Sequence, residues 1–119
     1  MTQYTDSVNV TVTGNDYTIQ CPGTIDLRND AGSVTIQFNL TGKPNCSFPT
    51  TSPFGVAITA PAGSNGPSVS SEFSNYTRVS DTLVTVDDAN TGGVDYNYAV
   101  TVATPAGNKT GDPIIRNRN

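Results

Sequence analysis

The sequence predicts an all-β protein built as a single antiparallel β-sandwich. Apolar and polar residues alternate through several segments, and this period of two places one strand face in a core and the other in water. No segment shows the 3.6-residue period of an amphipathic helix. Turn signals rich in Gly, Asn and Pro separate the alternating segments. Short strands spaced by such turns are typical of two packed sheets.

The predicted strands follow one another along the chain. Val8, Val10 and Val12 mark the first strand, and the turn at 14–16 leads into a second at 17–20. Further alternating segments lie at 34–40, 54–60, 82–86 and 94–102, and a C-terminal strand is expected over 113–118. With their spacing, these segments predict an immunoglobulin-like arrangement of about seven to eight strands.

Two segments lack a strand pattern. Residues 43–53 contain three prolines and are predicted to form a loop. Residues 60–75 are rich in Ser, Gly and Pro, so we expect a long loop there with one short strand near 69–73. Long loops in compact domains often have a function, but neither segment contains residues that indicate a chemistry.

Length and composition restrict the classes of function. A chain of 119 residues is expected to form one domain over 1–119. The formal net charge is −4 and the basic residues are scattered, which argues against nucleic acid as a partner. No apolar run of about 18 residues predicts a membrane span. No signal peptide is visible, and the composition fits an exported or phage-associated protein, so the localisation stays open.

The two cysteines, Cys21 and Cys46, leave two states open. A disulfide would close a loop of about 25 residues and stabilise the fold by roughly 3–4 kcal/mol. In a reducing compartment both would be free thiols, one of them buried. The chain has no histidine, so Ser-His-Asp and Cys-His catalysis are excluded, and two cysteines cannot complete a usual zinc site. We expect no cofactor and identify no small-molecule substrate.

An acidic turn is the candidate metal site. Asp87, Asp88 and Asn90 precede a pair of glycines, and oxygen-rich turns of this kind can bind calcium. No bidentate Glu follows at the spacing of an EF-hand loop. We therefore favour a hairpin turn in which the Asp and Asn side chains make local hydrogen bonds.

Tyr96 and Tyr98 share one face of the predicted strand at 94–102. An exposed tyrosine pair could stack on a sugar ring. We favour the other interpretation, in which both rings pack in the core and their hydroxyls reach its rim.

The peptide bond between Asp112 and Pro113 is the candidate site of chemistry. Asp-Pro bonds are acid-labile, because the Asp carboxyl can attack its own carbonyl carbon and the prolyl nitrogen is an unusually basic leaving group. The alternative needs no reactivity: Gly111 before the bond and Ile114-Ile115 after it fit a turn that enters a final strand.

The pattern Asp112-Pro113-x-Ile115-x-Asn117, preceded by a long Tyr- and Val-rich strand at 95–102, resembles the DP-EP family of small bacterial β-sandwich domains. The resemblance implies aspartic-type autoproteolysis between Asp112 and Pro113, with the released tail remaining in the sheet as a strand. It also implies capture of the aspartyl carbonyl by a lysine. This sequence departs from that pattern, because the long strand contains no lysine and Lys109 would face away from Asp112 in an extended segment.

Two functions follow as hypotheses. The first is self-processing, with Asp112 as the reacting carboxyl, Pro113 as the leaving amine and Asp95 as the acid or water-positioning group. The second is a non-catalytic structural or binding module of a larger surface or phage-like assembly. Polar strand faces and the lack of a recognisable catalytic set favour this second hypothesis, which includes self-association through edge strands.

Overall fold

The computed structural model describes residues 2–21, 24–42, 45–61, 63, 66–111 and 114–116. The all-β prediction is confirmed, although these residues form more strands than the sequence predicted. The one helix among them is short, α1 (Val69–Glu72). The strands are β1 (Thr2–Thr13), β2 (Asp16–Gln20), β3 (Ile25–Asp26), β4 (Val34–Thr41), β5 (Val56–Thr59), β6 (Phe73–Ser80), β7 (Leu83–Asp88), β8 (Asp95–Thr104), β9 (Gly107–Gly111) and β10 (Ile114–Arg116).

The strands form two sheets. One has the order β2-β1-β4-β7-β6, and the other has the order β3-β10-β8-β5, with β9 also pairing with β8. Most pairs are antiparallel, but β1 runs parallel to β4 and β10 runs parallel to β3. A purely antiparallel arrangement is therefore wrong. Between β1 and β4 the chain forms the β1–β2 hairpin and passes through β3 in the other sheet, so that β4 returns in the direction of β1.

The apolar residues of the alternating segments form a core to which both sheets contribute. Every second residue of β4 and of β8 is buried. The rings of Phe38 in β4 and Tyr98 in β8 are 5.5 Å apart, and those of Phe73 in β6 and Tyr96 in β8 are 5.0 Å apart. These ring contacts join the two sheets, and the core interpretation of the tyrosine pair is confirmed.

The two sides of this pair of sheets differ. At one side, β9 approaches β2 closely: a Cβ atom on Gly111 would lie 2.9 Å from the Ile19 carbonyl oxygen and 3.5 Å from the Cys21 sulfur. At the other side, β6 and β5 are the last strands of their sheets. The structure is thus closed at β2 and β9 and open between β5 and β6.

The segment near 69–73 is helical and not the short strand that we predicted. Ser68 is the N-cap of α1, and its hydroxyl accepts a hydrogen bond of 3.3 Å from the Ser71 N–H. Serine is a favoured N-cap because its side chain satisfies a backbone donor that the first helical turn leaves unpaired. The Ser-rich run is therefore suited to starting a helix, and the strand begins only at Phe73.

Cys21 and Cys46 are not joined by a disulfide; Cys46 is buried and Cys21 is half-buried, which corresponds to the second of the two predicted states. Burial raises the pKa of the Cys46 thiol. Among the described residues, no helix is long and apolar enough to cross a membrane.

Candidate functional site

The predicted cleavage bond, Asp112-Pro113, lies outside the described residues. The strands before and after it are described: Gly111 at the end of β9 pairs with Val100, and Ile114 at the start of β10 pairs with Asn97. Two residues separate each of these pairs on both strands, so β9 and β10 follow one continuous register along β8. Of the predicted C-terminal strand 113–118, the described part is β10.

Asp95 opens β8, and its pairing partner is Arg116 in β10. Along β8, Asp95 lies five residues before Val100, the residue that pairs with Gly111 at the end of β9. Five residues of a strand span about 17 Å, so Asp95 is that far along β8 from the pairing position of Gly111. The pKa of the Arg28 guanidinium is raised, mainly by its hydrogen bonds to Asp26. The negative charge of Asp95 raises the pKa of Arg28 further. Asp95 thus belongs to a group of exposed charges around β3 and the start of β8.

Asp87 and Asp88 use their carboxylates for hydrogen bonds within the fold. As neighbours in β7 they lie on opposite faces of the strand. Asp87 accepts hydrogen bonds of 2.8 Å from the Thr35 hydroxyl and 2.8 Å from the Asn75 amide. Asp88 is fully buried and accepts one of 2.8 Å from the Asn90 N–H. Of these bonds, the one between Asp88 and Asn90 is local, as the turn interpretation predicted, whereas those of Asp87 join β7 to β4 and β6. The connection is not a hairpin, because β7 and β8 lie in different sheets.

Asn90 holds the β7–β8 connection to the loop after β3. Its backbone is left-handed, with φ of 58°, and its side-chain nitrogen lies 3.1, 3.1 and 3.2 Å from the carbonyl oxygens of Leu27, Asp30 and Gly32. Its amide nitrogen is therefore a donor to the protein backbone. In the described part of the chain, no group of three or more acidic or cysteine side chains could hold a metal ion.

Glu72, the only glutamate of the chain, is a buried residue that sequence reasoning missed. Its carboxylate accepts hydrogen bonds of 2.9 Å from the Thr91 N–H and 3.0 Å from the Thr91 hydroxyl. Its carbonyl oxygen accepts one of 2.8 Å from the Ala89 N–H. Close by, the Tyr96 hydroxyl donates to the Pro67 carbonyl at 2.6 Å. These bonds attach α1 and the residues before it to the β7–β8 connection and to β8.

Asp6 is the second missed residue. It is fully buried in β1, and its Oδ2 accepts a hydrogen bond of 2.8 Å from the Tyr98 hydroxyl. Within the described structure, its Oδ1 has no hydrogen-bond partner. Burial raises the pKa of Asp6 to about 6, while the Tyr98 hydrogen bond acts in the opposite direction. The Tyr98 hydroxyl therefore ends inside the core on a carboxyl group, and not at the rim as predicted.

The sequence contained a signal for Asp6. It occupies an inward position of the first alternating segment, two residues before Val8 and four before Val10. Because side chains two residues apart in a strand share a face, an extension of this alternation towards the N-terminus would have placed a carboxyl group in the core.

An open groove of about 700 Å³ lies between the outer strands β5 and β6, beside α1. Phe73 and Val56 are buried there, and Tyr76 is half-buried, which raises the pKa of its phenol. Within the described part of the chain, the lining has no charged residue and includes Pro53, Val56, Ala57, Ile58, Val69, Ser70, Phe73, Ser74 and Tyr76.

No family model matches the sequence, and no curated protein matches it significantly either. The function is therefore inferred from the groove and from the strands on either side of the Asp112-Pro113 bond.

Proposed function

We propose that this chain is a non-catalytic binding module of a larger assembly, and that it binds an extended, uncharged segment of a partner protein in the groove between β5 and β6. The observation behind this proposal is the groove itself. It is an apolar, uncharged depression at the open side of the two sheets. Apolar surface of this kind is stabilised when a partner removes it from water.

We further propose that the fold is an immunoglobulin-like β-sandwich. The order β1-β4-β7-β6 in one sheet and β5-β8 with β9 and β10 in the other supports this assignment. Immunoglobulin constant-type domains have the same order, with four strands in one sheet and three in the other. The parallel strand β1, the added β2 and the short β3 are the differences from that pattern.

The edge of β5 is the better template for an added strand. β5 is regular and, among the described strands, pairs with β8 alone. The register of β6 with β7 shifts between Ser74 and Thr77 and again between Arg78 and Ser80. Irregular edges of this kind disfavour strand addition, whereas a regular edge offers backbone groups to an extended peptide. Because the groove has no charge, complementarity favours a partner segment without charged side chains.

A titration with a synthetic peptide tests the proposal. The probe is a capped octapeptide of alternating Val and Thr, added to the isotope-labelled protein and followed by amide chemical shifts. We expect shifts in β5 and α1, and their loss in Ser74→Trp, which fills the groove from an exposed lining position. Ser33→Trp, at an exposed loop position away from the groove, is the matched control and should bind as the wild type does.

Two results would contradict this assignment. One is a peptide that leaves the β5 amides unchanged, and the other is equal binding by wild type and Ser74→Trp. Light scattering tests whether the groove instead binds a second copy of the chain. If the wild type is a dimer and Ser74→Trp is a monomer, the occupant of the groove is a second copy, as expected for self-association through edge strands.

Self-processing at Asp112-Pro113, as the DP-EP resemblance implies, is the second candidate. The Asp112 carboxyl oxygen would attack its own carbonyl carbon, the bond to Pro113 would break, and the prolyl nitrogen would take a proton. Water would then open the resulting anhydride. The pairing of β10 supports the second part of this candidate, a tail that stays bound: β10 pairs with both β8 and β3, so a released tail would keep both ladders.

Intact mass under denaturing conditions tests the second candidate, since a tail that stays paired would be invisible to native methods. Samples are incubated at about pH 4.5 and about pH 7.5, with Asp112→Asn and Pro113→Ala as uncleavable controls. Asp95→Asn shows whether that acid contributes. A single uncleaved mass in fresh and aged wild-type samples at both pH values would reject self-processing.

A further inference from the structure

The N-terminal half of β1 is held in place by few side chains. From Thr2 to Val8 it pairs in parallel with β4, and its pairing with β2 begins only at Asn9. Among residues 2–7, Asp6 is the only buried one; Tyr4 is half-buried and the others are exposed. The main side-chain anchor of this half-strand is therefore a carboxyl group.

Among the described residues, no positive charge acts on the Asp6 carboxyl group. Its partner in the ladder is Phe38 of β4, and the facing strand β8 contributes the Tyr98 hydroxyl. Tyr4 on the same strand and Cys21 after β2 act with Asp6 to raise the pKa of Tyr98, and Asp26 of β3 acts with Asp6 to raise the pKa of Tyr4. All of these groups are acids, so ionisation of Asp6 places a negative charge in the core with one oxygen lacking a donor.

We propose that Asp6 makes the docking of the N-terminal half of β1 pH-dependent, so that the half-strand lies on β4 while the carboxyl is protonated and leaves it when the carboxyl ionises. Release moves the charged carboxylate into water, where it is fully solvated. The proposal does not depend on what the groove binds.

The size and direction of the effect follow from linkage. The pKa of Asp6 is about 6 in the docked state, against an ordinary value of 3.8 for an aspartate in water. A group with a raised acid pKa stabilises the docked state fully below the lower value and loses that contribution as the pH rises through the higher one. The ratio of released to docked strand should therefore rise by up to about 100-fold between about pH 4 and about pH 7.

Amide hydrogen exchange of the full chain tests the proposal. The opening equilibrium of the β1 and β4 segments is measured at several values between about pH 4 and about pH 8, after correction for intrinsic exchange rates. We expect the ratio of released to docked strand to rise with pH in the wild type and in the matched control Asp16→Asn, which changes an exposed aspartate of β2. We expect no rise in Asp6→Asn, whose side chain stays neutral.

A second variant keeps the test decisive if Asp6→Asn does not fold. In Tyr98→Phe the hydrogen bond that lowers the pKa of Asp6 is lost, so the midpoint of the opening transition should move to higher pH. A wild-type opening equilibrium that is flat with pH would overturn the proposal. So would an equal rise in Asp6→Asn, or an unmoved midpoint in Tyr98→Phe.

Discussion

Replacement of Glu72 by alanine is expected to be among the most destabilising single changes in the protein. The substitution removes the acceptor for both the Thr91 N–H and the Thr91 hydroxyl, at 2.9 and 3.0 Å. It also weakens the attachment of α1, the helix that contributes Val69 and Ser70 to the groove. The helix is one turn long and cannot be stable on its own, so it depends on this attachment.

The magnitude can be worked from these contacts. Hydrogen bonds to charged groups contribute about 1.5–3 kcal/mol each, and the carboxylate's own cost of burial offsets part of that sum. We expect Glu72→Ala to lower the free energy of unfolding by about 3 kcal/mol, which corresponds to a fall in Tm of roughly 12 °C for a protein of this size. Glu72→Gln keeps one acceptor oxygen, so its cost should be about 1 kcal/mol.

Urea unfolding at about pH 7, followed by circular dichroism, measures these differences. Ser70→Ala is the matched control, because Ser70 is an exposed residue of the same helix and its change should stay within about 0.5 kcal/mol. A loss below about 1 kcal/mol for Glu72→Ala, or equal losses for the Ala and Gln variants, would refute the role assigned to the carboxylate.

Three further outcomes are expected. The difference in free energy of unfolding between wild type and Asp6→Asn should fall by up to about 3 kcal/mol from about pH 4 to about pH 7, because the pKa of Asp6 is raised to about 6. Urea unfolding of both proteins at each pH measures this difference, and a value that stays constant with pH would disprove the prediction. Asn90→Ala removes the amide group whose two hydrogens are shared among three backbone carbonyls, and it also removes an Asn suited to a positive φ. Urea unfolding should register a loss of about 2–4 kcal/mol. Gly42→Ala would place a Cβ 2.3 Å from the Val10 carbonyl oxygen, whereas a Cβ at Gly14 meets nothing within 4 Å. Thermal melting should therefore show a larger fall in Tm for Gly42→Ala than for Gly14→Ala. Equal falls in Tm would contradict the close approach of Gly42 to Val10.

The strands with clear alternation were predictable, and the others were not. β4 and β8 match their predicted segments to within two residues at each end, because one face of each enters the core. β9 has no apolar residue in Gly107–Gly111, so nothing in its own sequence marks a strand. It is extended because it pairs with β8, which is a tertiary effect. β6 was missed because its register shifts interrupt the period of two.

The partners of the buried acids were beyond local sequence reasoning for a related reason. Asp6 meets Tyr98 across 92 positions of sequence, and Glu72 meets Thr91 across 19. Only the topology of the two sheets makes these residues neighbours. The groove depends on topology in the same way, because its walls come from strands in different sheets.

The parallel ladder between β1 and β4 determines how the protein bears mechanical load. A pull along β1 from its N-terminal side loads the ladder from Thr2↔Val34 to Asn9↔Thr41 in shear, so that its hydrogen bonds share the force. A pull that opened the β1–β2 hairpin from its end would break its bonds one after another. Such a pull is therefore resisted by the β1–β4 ladder, and the proposed release of β1 on ionisation of Asp6 would lower that resistance as the pH rises through about 6.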